Sequence, residues 1–286
     1  MTMADGLLLD VRNLNVVFTG TKGAFHAVKD ICFSMGREKL GIVGESGSGK
    51  TVIGRAILKL LPPSARIDAD GIHFNGQDIS KNSQKEMRAI RGRGITMVMQ
   101  DPIYSLNPVR TVGSQIIESV LAHNRVSRKE AVRRTLEMLD AVKIRNPEQV
   151  YGLYPHEVSG GMGQRIMIAM MLIPEPALLI ADEPTSALDV TIQLQVLTIL
   201  DDLVTRRGMG MIFISHDLEL VARFCDRVIV LYAGRIMEIC DAKDLLHARH
   251  PYTCGLLNCL PRVTGNGGRL PTLERQEAWL ESSFSG

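Results

Sequence analysis

Residues 44–51 read GESGSGKT, a glycine-rich octet closing on a lysine and a threonine. Glycines at 44, 47 and 49 leave the backbone free to turn its N–H groups inward around phosphate oxygens, and a helix starting just beyond adds the partial positive charge of its N-terminus. Lys50 supplies a mobile point charge for β- and γ-phosphates, and the Thr51 hydroxyl suits Mg²⁺. Glu45, Ser46 and Ser48 complete the loop. A second stretch, ALLIADE at 177–183, is an apolar run that ends in two acids. At the edge of an open α/β sheet, where ligands of such folds bind, Asp182 would reach Mg²⁺ through water and Glu183 would polarise an attacking water. Gln100 ends the apolar run GITMVMQ and His216 ends GMIFISH. A glutamine there could hold water or Mg²⁺, and a histidine could sense the γ-phosphate. The chemistry these residues fit is nucleotide hydrolysis, in which positioning and electrostatics supply most of the acceleration.

A third stretch, PHEVSGGMGQR at 155–165, precedes a helix-like apolar run. Ser159, Gly160 and Gly161 have the composition of a helix N-cap: a hydroxyl acceptor, backbone N–H groups unblocked by side chains, and the positive end of the helix dipole. That is a second anion site.

These residues need a scaffold, and the periodicity of the chain supplies one. KLGIVG at 39–44 reads as a buried strand feeding the glycine-rich loop, and TVIGRAILKLL as the helix after it, ended by Pro62 and Pro63. Before them, LLLDVRNLNVVF and HAVKDICFSM alternate as short antiparallel strands broken by TGTKG, and IHFNGQDI at 72–79 reads as a further strand. The middle is helical, with SQIIESVLAHN and RKEAVRRTLEMLDAV carrying apolar residues at helical spacing. Beyond Pro174 strands and helices alternate, the pattern of a mostly parallel sheet with helices on its faces. An α/β core interrupted by a helical insertion is the expected organisation, with the last 25 or so residues loosely ordered.

Composition bounds the alternatives. The 286 residues carry 33 basic and 31 acidic side chains, net +2, so no whole-chain field singles out nucleic acid as a partner. Five scattered cysteines and the lack of an N-terminal apolar secretion segment favour a reducing interior. No run reaches the roughly 18 to 20 apolar residues that cross a bilayer, so a membrane role would be peripheral. Cys254 and Cys259, separated by four residues on a helix, read as packing and not as ligands of a cluster, and the 14 methionines read as core or interface packing.

With these motifs in this order, the chain resembles the nucleotide-binding subunits of ABC transporters over nearly its whole length. The resemblance implies a P-loop NTPase cassette with a RecA-like α/β core, an N-terminal antiparallel β subdomain and a helical subdomain at about 101–172, all within residues 1–260, followed by a short tail at 261–286. It makes residues 44–51 the phosphate loop, Gln100 the glutamine loop, Ser159 to Met162 the signature, Asp182 and Glu183 the magnesium and catalytic acids, residues 186–189 (SALD) the D-loop and His216 the switch histidine. Phe18, with Phe25 as the alternative, would be the aromatic that stacks on adenine. MQDPIYSLNP, PHEVSGGM, IADEPTSALDV and HPYTCGLL narrow the likeness to the ATPases of bacterial dipeptide, oligopeptide and nickel importers. The resemblance then implies ATP and Mg²⁺ as ligands and a second ATP-binding subunit, related to this one, as partner. It also implies two integral-membrane permeases, an extracytoplasmic binding protein acting indirectly, and a place on the cytoplasmic face of the inner membrane. Docking on the permease would involve residues 100–113, with Tyr104 and Leu106 in contact. Gly163 departs from the family, which usually carries a basic residue there, and a glycine within a helix costs about 1 kcal/mol relative to alanine.

Overall fold

The computed structural model describes residues 6–21, 23–99, 105–186, 188–259 and Trp279. The chain divides into two compact units, Met1–Asn82 together with Ile212–Gly286, and Ser83–Met211.

The first unit opens with two long strands, β1 (Leu9–Gly20) and β2 (Gly23–Met35), paired antiparallel from Leu9 opposite Met35 to Gly20 opposite Gly23. Strict alternation would turn one face of β1 inward throughout. Instead the buried residues run Leu9, Val11, Leu14, Val16, and the register shifts between Val11 and Leu14, where Asn13 adopts φ 50°. Such a bulge re-aims the side chains beyond it. Next come β3 (Lys39–Val43), α1 (Lys50–Ile57), β4 (Ala65–Asp68), β5 (Gly71–Phe74) and β6 (Gln77–Asp78). The antiparallel sheet runs β2-β1-β5-β6, with β4 also on β1. The segment IHFNGQDI is therefore not one strand. Asn75 (φ 48°) and Gly76 (φ 79°) fold it into a tight hairpin, the turn for which Asn-Gly is the strongest short-range signal.

The second unit holds α2 (Gln84–Ile90), β7 (Ile95–Val98), α3 (Val112–His123), α4 (Arg128–Ala141), α5 (Pro147–Gly152), α6 (Gly160–Leu172), β8 (Leu178–Asp182) and α7 (Val190–Arg206). The starts of five of these helices are written in the sequence: Ser83, Thr111, Ser127, Ser159 and Asp189 each accept a backbone N–H of the first turn, and Ser83 with Glu86 forms a capping box. α3 packs on α4, α5 and α6. β7 and β8 pair in parallel, Ile95 opposite Leu178 through Val98 opposite Ala181. The order in this unit is β9-β8-β7, where β9 (Gly210–Ile214) is the strand in which the boundary between units falls.

The chain then returns to the first unit with α8 (Leu218–Phe224), β10 (Arg227–Tyr232), β11 (Arg235–Asp241) and α9 (Pro251–Asn258). There the order is β11-β10-β3-β9, with β10 parallel to β3. Every residue of β9 and all but the first of β3 are buried, the near-continuous apolar pattern of a parallel sheet covered on both faces. Gly41 lets α8 lie close on β3, since a Cβ there would stand 2.4 Å from Val221 Cγ1. No helix among the described residues is long and apolar enough to cross a membrane.

Leu106, expected to meet a partner, is buried at 4% exposure. The buried Gln115 organises the chain just beyond it: its carbonyl accepts the Asn107 N–H at 2.8 Å, and its amide donates to the carbonyls of Asn107 at 3.1 Å and Arg110 at 3.0 Å. Tyr104 and the tail at 261–286, Trp279 apart, lie outside the described residues.

Candidate functional site

In the first unit β3 runs straight into the glycine-rich loop. Two of its glycines are fixed by what surrounds them. At Gly44 (φ 149°) a Cβ would stand 2.1 Å from the Leu231 carbonyl oxygen, and at Gly49 (φ 104°) it would stand 2.8 Å from that of Ala27. Only a residue without a side chain lets this loop lie so close to its neighbours. Gly49 is the N-cap of α1 and makes no side-chain cap, and the start of such a helix is where an anion is favoured. Lys50, 6% exposed, sits inside the curl of the loop and donates to the carbonyls of Gly44 at 2.7 Å and Glu45 at 2.9 Å. The far side of the loop is tied to the β10–β11 turn, where the Gly234 N–H donates to the Ser48 carbonyl at 3.0 Å.

A cavity of about 300 Å³ opens against this loop, lined by Glu45, Ser46, Gly47 and Ser48 on one side and by Phe25, Lys29 and Tyr232 among others on the rest. Phe25 is 65% exposed on its rim. Phe18 is paired across the hairpin from Phe25 but is not among the lining residues. A glycine-rich loop leading into a helix N-terminus, a lysine and an exposed aromatic ring beside it can hold a phosphate chain and a flat base. His216, exposed, follows β9 at a sharp corner: the Ser215 hydroxyl accepts the Asp217 N–H at 3.1 Å, and Asp217 caps α8 by accepting the Leu220 N–H at 2.9 Å.

The second unit holds the other candidates. Ser159 caps α6, its hydroxyl accepting the Met162 N–H at 3.3 Å, and both Ser159 and Gly160 are exposed. A Cβ at Gly160 would meet nothing within 4 Å, whereas at Gly161 it would press on Ile192 Cγ2 at 2.8 Å. Gly163, though buried, has nothing within 4 Å of a Cβ. The next residue, Gln164, is buried and donates through its amide to the Pro184 carbonyl, so the helix behind the exposed cap is anchored to the turn that follows Glu183. Arg165 donates to the carbonyls of Gly161 at 3.1 Å and Lys143 at 2.8 Å, and burial, with Arg145 nearby, pulls its pKa down. Asp182 ends β8 at 4% exposure. Glu183 takes φ 47°, left-handed backbone that a non-glycine residue adopts at a cost of order 1–3 kcal/mol, and such outliers gather at functional sites. Ser186 closes the turn, donating from N–H and hydroxyl to the Glu183 carbonyl at 3.3 and 3.2 Å. Gln100 lies outside the described residues.

The structure thus gathers residues 44–51 with Phe25 in one unit and ties the cap at Ser159 to the segment after Glu183 in the other. Tyr232 and Lys29 were missed from sequence. Tyr232 had a signal: RVIVLYAG is a parallel strand like KLGIVG, so its last residue belongs at the carboxyl edge where Gly44 stands.

A family model described as ABC transporter matches residues 28–186. A probable peptide ABC transporter ATP-binding protein of Sinorhizobium fredii is 50% identical over 271 residues, 93% of this chain and 81% of the relative. The dipeptide transport ATP-binding protein DppD of Bacillus subtilis is 47% identical, with 93% and 81% covered. The oligopeptide transport ATP-binding protein OppD of Escherichia coli is 46% identical, with 93% and 79% covered. Among solved structures, the dimeric post-hydrolysis state of an ATP-binding cassette bound to ADP and Pi aligns with a TM-score of 0.73 at 25% identity, covering 82% of this chain and 98% of that one. The cbiO1 component of the cbiONQ transporter complex from Clostridium perfringens gives 0.73 at 26% identity, covering 85% and 92%.

Proposed function

The chain belongs to the ABC transporter family, and from that premise we propose that it is the ATP-hydrolysing subunit of an importer of dipeptides or oligopeptides. The observation that carries the nucleotide reading is the loop at 44–51, curled around Lys50, with the Phe25-rimmed cavity against it. Its backbone N–H groups and Lys50 bind the phosphates, and Phe25 supplies the face on which adenine stacks. The peptide reading is supported by the names of the relatives, none of the three cited being a nickel transporter.

The remaining roles follow the motifs. Thr51, Asp182 and Gln100 offer a hydroxyl, a carboxylate and an amide oxygen, hard donors that fit Mg²⁺, which when bound neutralises phosphate charge. Glu183 polarises the attacking water, and His216 responds to the γ-phosphate. Ser159, Gly160 and Gly161 present the exposed N-terminus of α6 to the γ-phosphate of an ATP carried by a second, related subunit. ATP then favours the closed pair, and hydrolysis removes that preference. Two permeases and, indirectly, an extracytoplasmic binding protein complete the assembly, with this subunit peripheral on the cytoplasmic face. Residues 1–260 are the ATP-binding domain in this reading, with a helical subdomain at about 101–172 and a short tail at 261–286.

The test is Glu183→Gln in the assembled transporter. ATP-dependent closure of the subunit pair should persist while turnover falls by about a hundredfold or more; unchanged turnover removes Glu183 from its role.

A further inference from the structure

Tyr252 lies in the first turn of α9, 207 residues after Glu45 of the glycine-rich loop, yet its hydroxyl accepts the Glu45 backbone N–H at 3.4 Å. Its ring is fully buried. Two more aromatic rings close a triangle around it. Tyr232 is 4.5 Å away between centroids, and Trp279, 5% exposed, is 5.4 Å from Tyr252 and 5.6 Å from Tyr232. Tyr232 also lines the cavity beside the loop, and two residues further on Gly234 donates to Ser48. The loop is therefore held at both shoulders. Glu45 leans on Tyr252, Ser48 on the turn that carries Tyr232, and Trp279 packs the two tyrosines together.

Burial alone accounts for the three rings meeting. It does not account for a phenolic hydroxyl placed on a backbone N–H of the phosphate loop, in a residue whose carbonyl also holds Lys50. We infer that Tyr252 is a positioning residue for the nucleotide cradle and that Trp279, from the C-terminal part of the chain, fixes its ring, so that this part of the chain sets the affinity for ATP. The inference rests on reading residues 44–51 as the ATP site. A hydroxyl that holds Glu45 in place lowers the cost of ordering the loop around phosphates, which is preorganisation and not a contact with the nucleotide.

The variant Tyr252→Phe keeps the ring and deletes the hydroxyl. By calorimetric titration of the full chain with ATP and Mg²⁺ it should bind about three- to fivefold more weakly, the size expected of one long neutral hydrogen bond. In the assembled transporter KM for ATP should rise by the same factor while kcat at saturating ATP stays at the wild-type value. The melting temperature measured without nucleotide should stay within about 2 °C of wild type, because the packing is intact. Trp279 is the chain's one tryptophan, so its intrinsic fluorescence should change when ATP is added to the wild type and stay constant in Lys50→Ala. Trp279→Leu should weaken ATP binding at least as much as Tyr252→Phe does.

Wild-type affinity in Tyr252→Phe overturns the inference, as does a lowered melting temperature with no change in KM. If the wild-type chain binds no ATP, the ATP reading itself fails. If it binds ATP and the tyrosine variant binds equally well, the positioning role alone fails.

Discussion

Phe25→Ala separates nucleotide recognition from folding more cleanly than any other change at this site. The ring is 65% exposed on the rim of the cavity, so its removal takes little from the core and should move folding stability by no more than about 0.5 kcal/mol. What it removes is the flat face beside Glu45, Ser46, Gly47 and Ser48. Stacking of a base on an aromatic side chain is worth about 1–3 kcal/mol by alanine substitution, and one ring offering one face belongs in the lower half of that range. That predicts about a tenfold loss of ATP affinity. Phe18 is the control. It pairs with Phe25 across the β1–β2 hairpin but does not line the cavity, so Phe18→Ala should cost about 0.2–1 kcal/mol of stability and change affinity by less than about twofold. Phe25→Tyr, which keeps a flat ring, should bind like wild type. Equilibrium titration with ATP, paired with thermal melts, reads both quantities. Wild-type affinity in Phe25→Ala, or a larger loss in Phe18→Ala, refutes the assignment of the adenine face to Phe25.

Two further outcomes follow from local geometry. Gly163→Ala should stabilise the protein by about 0.5–1 kcal/mol, or about 1–2 °C in melting temperature, because the added methyl meets nothing within 4 Å and the helix loses a glycine; a lower melting temperature would mean that α6 needs flexibility there. Burial pushes the Cys225 thiol well above its ordinary 9.0, with Lys39 opposing and Asp226 adding to the shift. A raised folded pKa gives stability that is present below 9.0 and lost as pH rises past it, where the unfolded thiol ionises and the folded one does not. Denaturation midpoints should therefore decline more steeply above that pH in wild type than in Cys225→Ala, and alkylation at pH 8 should leave Cys225 unmodified until the chain unfolds.

The parts of the site that were legible in sequence are those whose cause is local. GESGSGKT needs only its own glycines and the strand and helix on either side, and the N-cap at Ser159 needs only the next three residues. The acids at 182 and 183 were placed at a strand end because ALLIA, just before them, is apolar without interruption. What escaped depends on register or on distance along the chain. The two strands of the first hairpin run 12 and 13 residues, and the pairing that sets Phe18 opposite Phe25 leaves only the three-dimensional surroundings to decide which ring borders the cavity. IHFNGQDI was read by its apolar residues, while the Asn-Gly pair at its centre carried the stronger instruction. Leu106 stands in a segment with two prolines that reads as an exposed loop in sequence, and nothing in its own residues announces its burial. The aromatic triangle was invisible because its members come from three distant places in the chain.

The closeness of Gly44 to the Leu231 carbonyl also bears on how the protein is made. The strand that feeds the phosphate loop is completed by residues synthesised long after it: the Lys39 N–H donates to the Asp226 carboxylate 187 positions later, and the Glu45 N–H to Tyr252 207 positions later. At about 5–20 residues per second, a ribosome leaves β3 without these partners for roughly 10–40 s. During that interval an apolar strand with unpaired backbone groups is open to mispairing with other chains. Chain elongation, and not the local formation of the loop, then sets when a nascent molecule can first grip a nucleotide, and fragments released early should appear as insoluble protein before they appear as weak binders.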